Sequence, residues 1–274
     1  GQGLETVFSQ LLSEQLGIPM NAIKIVQGDT DQVKGLGSFG SRSLFVGGSV
    51  LLEGVKDFLQ KGKELAAKEL EAAIVDMRYH SGRFEVVGTS IGIGLFDLAA
   101  RQAENRFSTE TEKELEGRSW PNGCHIAEVE IDPETGSVWL VRHGTVDDTG
   151  NPINPMIVEG QLHGGIAQGA GQVLLEHSVY DSEGQLLTGS FMDYAMPRAD
   201  DFPFFESSTY TDAPCLTNSL GAKGVGEIGV VGSIPAIANA ILDALWDRGV
   251  RNFNMPAHPQ KIWNLLQNVN NVTD

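Results

Sequence analysis

The chain has 274 residues, 41% of them hydrophobic, which is enough to bury a sizeable core in one large domain or two modest ones and leaves no basis for disorder. Its formal net charge is −17 and its 19 basic residues form no run, which argues against nucleic acid or an anionic membrane as partner, since phosphate surfaces require clustered Lys and Arg. Cys124 and Cys215 are the two cysteines and have no CxxC spacing, so neither a disulfide scaffold nor a cysteine-built metal site is indicated, and a reducing cytoplasm is the default location.

No uninterrupted apolar stretch reaches the length of about 18 residues needed to cross a bilayer. In chain order, Leu4, Val7, Phe8, Leu11, Leu12 and Leu16 fall at three- and four-residue steps, which predicts a helix ending at Gly17. Residues 23–26 read as a short strand and 28–40 as a glycine-rich loop. Residues 41–72 read as one helix, with Gly47 and Gly48 as a point of close packing and a Lys/Glu-rich second half facing water. A hairpin turning at Ser81-Gly82 is expected over 75–87, a short helix over 95–103, and an acidic linker or exposed excursion over 104–118.

A second hairpin, 124–131 with 138–146, turns at Asp132-Pro133-Glu134-Thr135-Gly136. Asn154-Pro155 opens a helix over 157–175 whose five glycines demand a very close neighbour, either core or ligand. A strand–turn–strand follows over 179–187, a strand over 205–210, an apolar helix over 227–246 with Pro235 inside it, and a short helix over 262–266. Helices and antiparallel hairpins alternate without a βαβ rhythm, so the class is α+β, with domains at 1–120 and 121–274.

Four segments carry chemical potential. Gly1-Gln2-Gly3 opens directly onto a helix, where backbone N–H groups and the Gln2 amide could receive an anionic or oxo ligand; the alternative is a simple turn. Gly40-Ser41-Arg42-Ser43 gathers hydroxyls, N–H groups and a guanidinium at another helix start, either as a phosphate cradle or as an N-cap serine beside a solvated arginine. Gln168 is an amide on a glycine-rich helical face that could equally serve helix packing. Gly221-Ala222-Lys223-Gly224-Val225-Gly226-Glu227 sets a carboxylate at the start of an apolar helix, where an ordinary capping role competes with that of a catalytic base. The six histidines show no HxxxH or HxH pairing, so protein-ligated metal is not expected, and no GxSxG elbow supports a hydrolase.

Taken in order, several segments resemble the molybdopterin-binding large subunit of the xanthine dehydrogenase and aldehyde oxidase family, in particular its aerobic carbon-monoxide-dehydrogenase type. They are Gly1-Gln2-Gly3-Leu4-Glu5-Thr6, Gly28-Asp29-Thr30-Asp31, Gly40-Ser41-Arg42-Ser43, Val146-Asp147-Asp148-Thr149-Gly150, Asn154-Pro155, Gly160-Gln161 with His163-Gly164-Gly165, Ser190-Phe191-Met192-Asp193-Tyr194, and Gly224-Val225-Gly226-Glu227. The resemblance implies the α+β molybdenum-cofactor-binding fold, with helices packed on mixed and antiparallel sheets and a cofactor-binding subdomain in each half of the chain. It further implies a molybdenum hydroxylase that inserts water-derived oxygen at an electrophilic carbon of an aldehyde or N-heterocycle, with Glu227 as general base. By the same likeness Gln2, Gly3, Gly40, Ser41, Arg42, Ser43, Asp148, Gln168 and Gly226 contact the molybdopterin, in its cytosine dinucleotide form. The chain would be the C-terminal half of such a subunit, inactive until the N-terminal half joins it. Electrons would leave through partner subunits carrying [2Fe-2S] and FAD, in a dimer of heteromers. The competing expectation is a catalytically silent half-domain that binds only partner protein or cofactor.

Overall fold

The computed structural model describes residues 1–270 except 34, 36, 115 and 116, so parts of the expected 28–40 loop and 104–118 excursion lie outside the described residues. The chain divides into two compact units, 1–119 with 215–222, and 120–214 with 223–274.

In the first unit, helices α1 (Leu4–Leu16) and α2 (Ser43–Glu69) pack on each other, and an antiparallel sheet follows in the order β1 (Met77–His80), β2 (Arg83–Val86), β3 (Gly92–Gly94). The predicted stripe on α1 buries Val7, Leu11 and Leu16, and Gly17 ends the helix at φ 61°, a left-handed conformation that suits glycine. Gly47 and Gly48 are the close-packing point the sequence indicates: a Cβ on Gly47 would lie 2.8 Å from the Phe8 ring and one on Gly48 2.7 Å from Leu220. The β1–β2 hairpin turns at Ser81 and Gly82, both at positive φ, as the expected turn chemistry requires. The short helix α3 (Leu95–Ala100) then buries Leu95 and Leu98 beside Phe84. The excursion that follows is anchored along α2, with Phe107 stacked on Phe58 at 4.6 Å and Thr111 donating to Asp57 at 2.6 Å.

One expected strand and one expected strand–turn–strand are not formed. Residues 23–26 carry no strand, and 179–187 contributes only the isolated bridge Tyr180↔Leu186. A four-residue alternation becomes a strand only where a neighbour offers a hydrogen-bonding edge.

The second unit is built on a mixed sheet ordered β4 (Asn122–Ile131), β5 (Val138–Asp148), β6 (Glu206–Tyr210), with β4–β5 antiparallel and β5–β6 parallel. Against it pack α4 (Pro155–Leu174) and α5 (Ile228–Trp246), with α6 (Pro259–Asn270) closing the core. Asn154 caps α4 by accepting from the Ile157 N–H at 3.1 Å, and Pro155 occupies the first turn, where its missing N–H costs nothing. Contrary to the sequence expectation, α5 is long and apolar enough to cross a bilayer. In this fold it is a core helix, burying Ile237, Ile241 and Leu245 with Ile166, Val173 and Ile262.

Glycines let α4 and α5 touch through backbone. A Cβ on Gly165 would lie 2.9 Å from the Gly229 Cα and 3.0 Å from the Val230 nitrogen, and one on Gly169 would strike the Ser233 hydroxyl.

A bulge in the β4–β5 ladder between Glu128 and Val129 divides the sheet's inner face. On the turn side of the bulge that face is apolar, with Val129, Ile131, Val138 and Leu140 in the core. On the other side it is polar, with His143, Thr145 and Asp147 all buried. Asp147 accepts from His125 Nε2 at 3.2 Å and from the Thr145 hydroxyl at 2.5 Å. Neither ring nitrogen of His143 has a hydrogen-bond partner among the described residues.

The glycine crossing and His143 each yield a prediction. Gly165→Ala forces backbone apart and is expected to cost about 1–3 kcal/mol, whereas Gly160→Ala in the same helix meets nothing within 4 Å and should be neutral or stabilising; paired thermal melts check the contrast. Burial, reinforced by His125 and partly opposed by Asp147, pushes His143 down from 6.5 to about 4. Between those values the unfolded imidazole binds a proton that the folded one refuses, so stability falls as pH drops through this window, by at most about 1.4 kcal/mol per pH unit. Above pH 6.5 both states are neutral and the effect vanishes. His143→Leu should remove that slope in denaturation curves recorded from pH 7 to about 4.

Candidate functional site

In the first unit the starts of α1 and α2 open on one cleft of about 970 Å3. Gly3 caps α1 at φ 74° and Arg42 caps α2, and neither helix start has a side-chain cap hydrogen bond. The dipoles of both helices point their positive ends at this cleft, which suits an anion. Gln2, Gly3, Arg42 and Ser43 line the cleft, as do Gly28, Asp29 and Ser38 from the intervening loop. Gly28, Gly37 and Gly40 hold φ of 75°, 81° and 58°, and a Cβ on any of them would meet nothing within 4 Å, so backbone conformation rather than crowding selects glycine here.

The polar side chains at this cleft are joined in sequence. Gln2 Nε2 donates to Ser38 Oγ at 2.9 Å, and the Ser38 and Ser43 hydroxyls lie 2.6 Å apart. The Arg42 guanidinium sits 3.7 Å over the Phe39 ring, a cation–π contact that holds it without consuming its N–H donors. Ser41 is not the N-cap that one sequence reading allowed: it stands at φ 53°, and the helix begins one residue later with Arg42 in the cap position. Ser38 was not singled out in the sequence, because only the folded loop brings it to the two helix starts.

The remaining expected residues belong to the second unit. Glu227 occupies the N-cap position of α5, yet its side chain makes no cap hydrogen bond; only its carbonyl joins the helix, accepting from the Val231 N–H at 3.0 Å. The ordinary capping role is thus not the one it plays, and the residue is exposed. Gly226 beside it is exposed while Gly224 is buried, so the glycine segment passes from core to surface within three residues. Gln168 is exposed on α4, one residue before the Gly169 that packs on Ser233. Asp148, at the end of β5, accepts from Lys223 Nζ at 2.5 Å and from the Gly150 N–H at 3.0 Å. Lys223, the single basic side chain within the glycine segment, was not among the residues expected at the site.

The first unit's arrangement suits an anionic ligand held through backbone, and the second unit, by itself, presents an exposed carboxylate at a helix start. A phosphorylated pterin fits the first unit on this chemistry: N–H groups at two helix starts for phosphate, glycine backbone for close approach, and an amide–hydroxyl chain for ring heteroatoms.

Comparison with known proteins supports the same conclusion. Residues 1–203 match the molybdopterin cofactor-binding domain. The gamma subunit of the 6-hydroxypseudooxynicotine dehydrogenase complex of Paenarthrobacter nicotinovorans is 36% identical over 98% of this chain and 35% of its own length. The carbon monoxide dehydrogenase large chain of Hydrogenophaga pseudoflava is 34% identical over 98% of this chain and 35% of its own. Quinoline 2-oxidoreductase from Pseudomonas putida 86 superposes with a TM-score of 0.82 at 33% identity, over 97% of this chain and 35% of that one. The chain thus spans about a third of the length of the curated relatives it matches. With its helix starts, glycine loops and Glu227 segment in place, the chain belongs to the molybdopterin cofactor-binding domain family, the cofactor-binding part of molybdenum-dependent oxidoreductases.

Proposed function

We propose that this chain is the cofactor-binding and proton-transferring part of a molybdenum hydroxylase, and that Glu227 is its general base. The observation that carries the reading is the state of Glu227: a carboxylate at a helix start, exposed and not used to cap its own helix. When bound, the molybdenum cofactor supplies a two-electron acceptor for oxidation of the substrate carbon. Gln2, Gly3, Arg42 and Ser43, which line the cleft, would hold its pterin and phosphates, with Gly40, Ser41, Asp148, Gln168 and Gly226 as further contacts in this reading. The carboxylate oxygen of Glu227 takes a proton from the water-derived nucleophile as that oxygen attacks the substrate.

An N-heterocycle or an aldehyde is the substrate class we favour, supported by relatives named for quinoline and 6-hydroxypseudooxynicotine. The cytosine dinucleotide form of the cofactor belongs to this reading, supported by the likeness to a carbon monoxide dehydrogenase large chain. The remainder of a large subunit, and partner subunits with [2Fe-2S] and FAD in a dimer of heteromers, complete the assembly in this reading; a relative named as one subunit of a complex supports partners in general. The proposed location is the cytoplasm, consistent with two free cysteines.

Two measurements test the assignment. Glu227→Gln in the assembled enzyme should lower turnover by roughly 10²-fold or more at unchanged molybdenum content; turnover near that of the parent removes Glu227 from the role of base. Arg42→Met should lower the pterin and phosphate content of the purified protein, since it deletes a cleft cation without touching the fold's core. Full cofactor content in that variant would assign the phosphates elsewhere.

A further inference from the structure

We propose that Asp147 and Asp148, consecutive residues of β5, bracket Glu227 and fix where its carboxylate stands, with Lys223 and His125 as the positioning residues through which they act. The inference rests on Glu227 being the base and adds how it is held.

Strand geometry sends neighbouring side chains to opposite faces, so two adjacent aspartates can serve two different elements. Asp148 receives Lys223 Nζ at 2.5 Å, and the Lys223 N–H donates to the Thr149 carbonyl at 3.0 Å. Lys223 is therefore fixed to the end of β5 by both side chain and backbone, four residues before Glu227. The two side chains are only 11% and 13% exposed, so neither charge is satisfied by water if the other is lost. Asp147 is fully buried and holds His125, whose ring lies against Gly232 on α5, where a Cβ would come within 2.5 Å of it. Gly232 lies five residues after Glu227. Closely packed Gly123 completes the arrangement, since any side chain there would strike the Asp147 carboxylate.

What lies between the two anchors explains the need for them. Gly224-Val225-Gly226 has two glycines in three residues, and such a segment has more conformational freedom to lose than any other. Fixing the chain on both sides narrows where a carboxylate on its far end can stand. The end of β5 fixes the segment before Glu227 through Lys223 and, through His125, adds a second hold on the helix whose first turn Gly229 already seats against α4.

The test uses the molybdenum-loaded enzyme containing this chain, with Lys223→Met, Lys223→Arg, Asp148→Asn and Gly232→Ala. Lys223→Met is expected to lose roughly ten- to hundred-fold in kcat per bound molybdenum, the scale of a misplaced catalytic group, with KM and molybdenum content unchanged. Lys223→Arg should recover most of that loss. Deuterium uptake at the amides of 224–228 should rise in Lys223→Met while uptake in β1 and β2 stays constant. Asp148→Asn serves if Lys223→Met fails to accumulate, and Gly232→Ala, which displaces the His125 ring, should reproduce the kcat loss from the other side. Unchanged kcat per molybdenum, or unchanged uptake at 224–228, overturns the proposal, as does a loss that merely follows molybdenum content. Glu227→Gln measured in parallel separates the two readings: activity there removes the base, while uptake at 224–228 in Lys223→Met still decides whether the aspartates fix the segment.

Discussion

Helices α4 and α5 meet where neither has a side chain to hold them apart, and the position of everything at the start of α5 follows from that contact. Gly229 is two residues from Glu227, and a Cβ there would lie 2.5 Å from the Leu162 carbonyl and 2.8 Å from the Gly165 Cα. Backbone cannot rotate out of the way as a side chain can, so the first turn of α5 has one place to be. The apolar remainder of α5 then locks the arrangement by burying Ile237, Ile241 and Leu245 in the common core, each such side chain worth about 1.5–3 kcal/mol. A rigid helix start is what an exposed carboxylate needs if it is to act at one point rather than sweep a volume.

The first unit, in the proposed reading, solves a different problem, which is to attract an anion to a protein of net charge −17. Long-range attraction is of no help to such a chain, so the field must be local. Two helix starts left without side-chain caps provide it, and Arg42 adds a charge held in place by the Phe39 ring rather than by an acidic partner. A carboxylate partner would have cancelled the charge that the cleft requires. Left-handed glycines at 28 and 37 let the connecting loop close around the space without projecting side chains into it.

Much of this was legible in the chain because the signals are local. The leucine stripe of α1, the Ser81-Gly82 turn, the Asp132–Gly136 turn and the Asn154-Pro155 helix start depend on neighbours a few residues away, and all formed as expected. What failed depended on distant partners. Residues 23–26 have strand composition but form no strand, whereas the strand expected over 205–210 does form, as β6, because β5, about 60 residues earlier in the chain, offers it an edge. The site divides in the same way. Gln2, Arg42, Ser43 and Glu227 were visible as residue types at helix starts, whereas the union of the first three at one cleft, and the Lys223–Asp148 pair across 75 residues, are properties of the fold. A local rule also pointed the wrong way at Glu227, since a glutamate at a helix start ordinarily caps it and this one does not.

Residues 215–222 leave the second unit, join the first, and return. While there, the Leu220 side chain fills the space that Gly48 leaves open on α2, Thr217 donates to the Arg118 carbonyl at 3.2 Å, and the Cys215 N–H donates to the Gly221 carbonyl at 2.9 Å. The two units are consequently joined at three points along the polypeptide, not at one. No single cut separates them, and expressing 120–274 alone would carry along an eight-residue loop stripped of its seat, with a buried leucine turned to water immediately upstream of the Gly224–Glu227 segment. The boundary that looks like a linker in the sequence is therefore not a line along which this protein can be dissected.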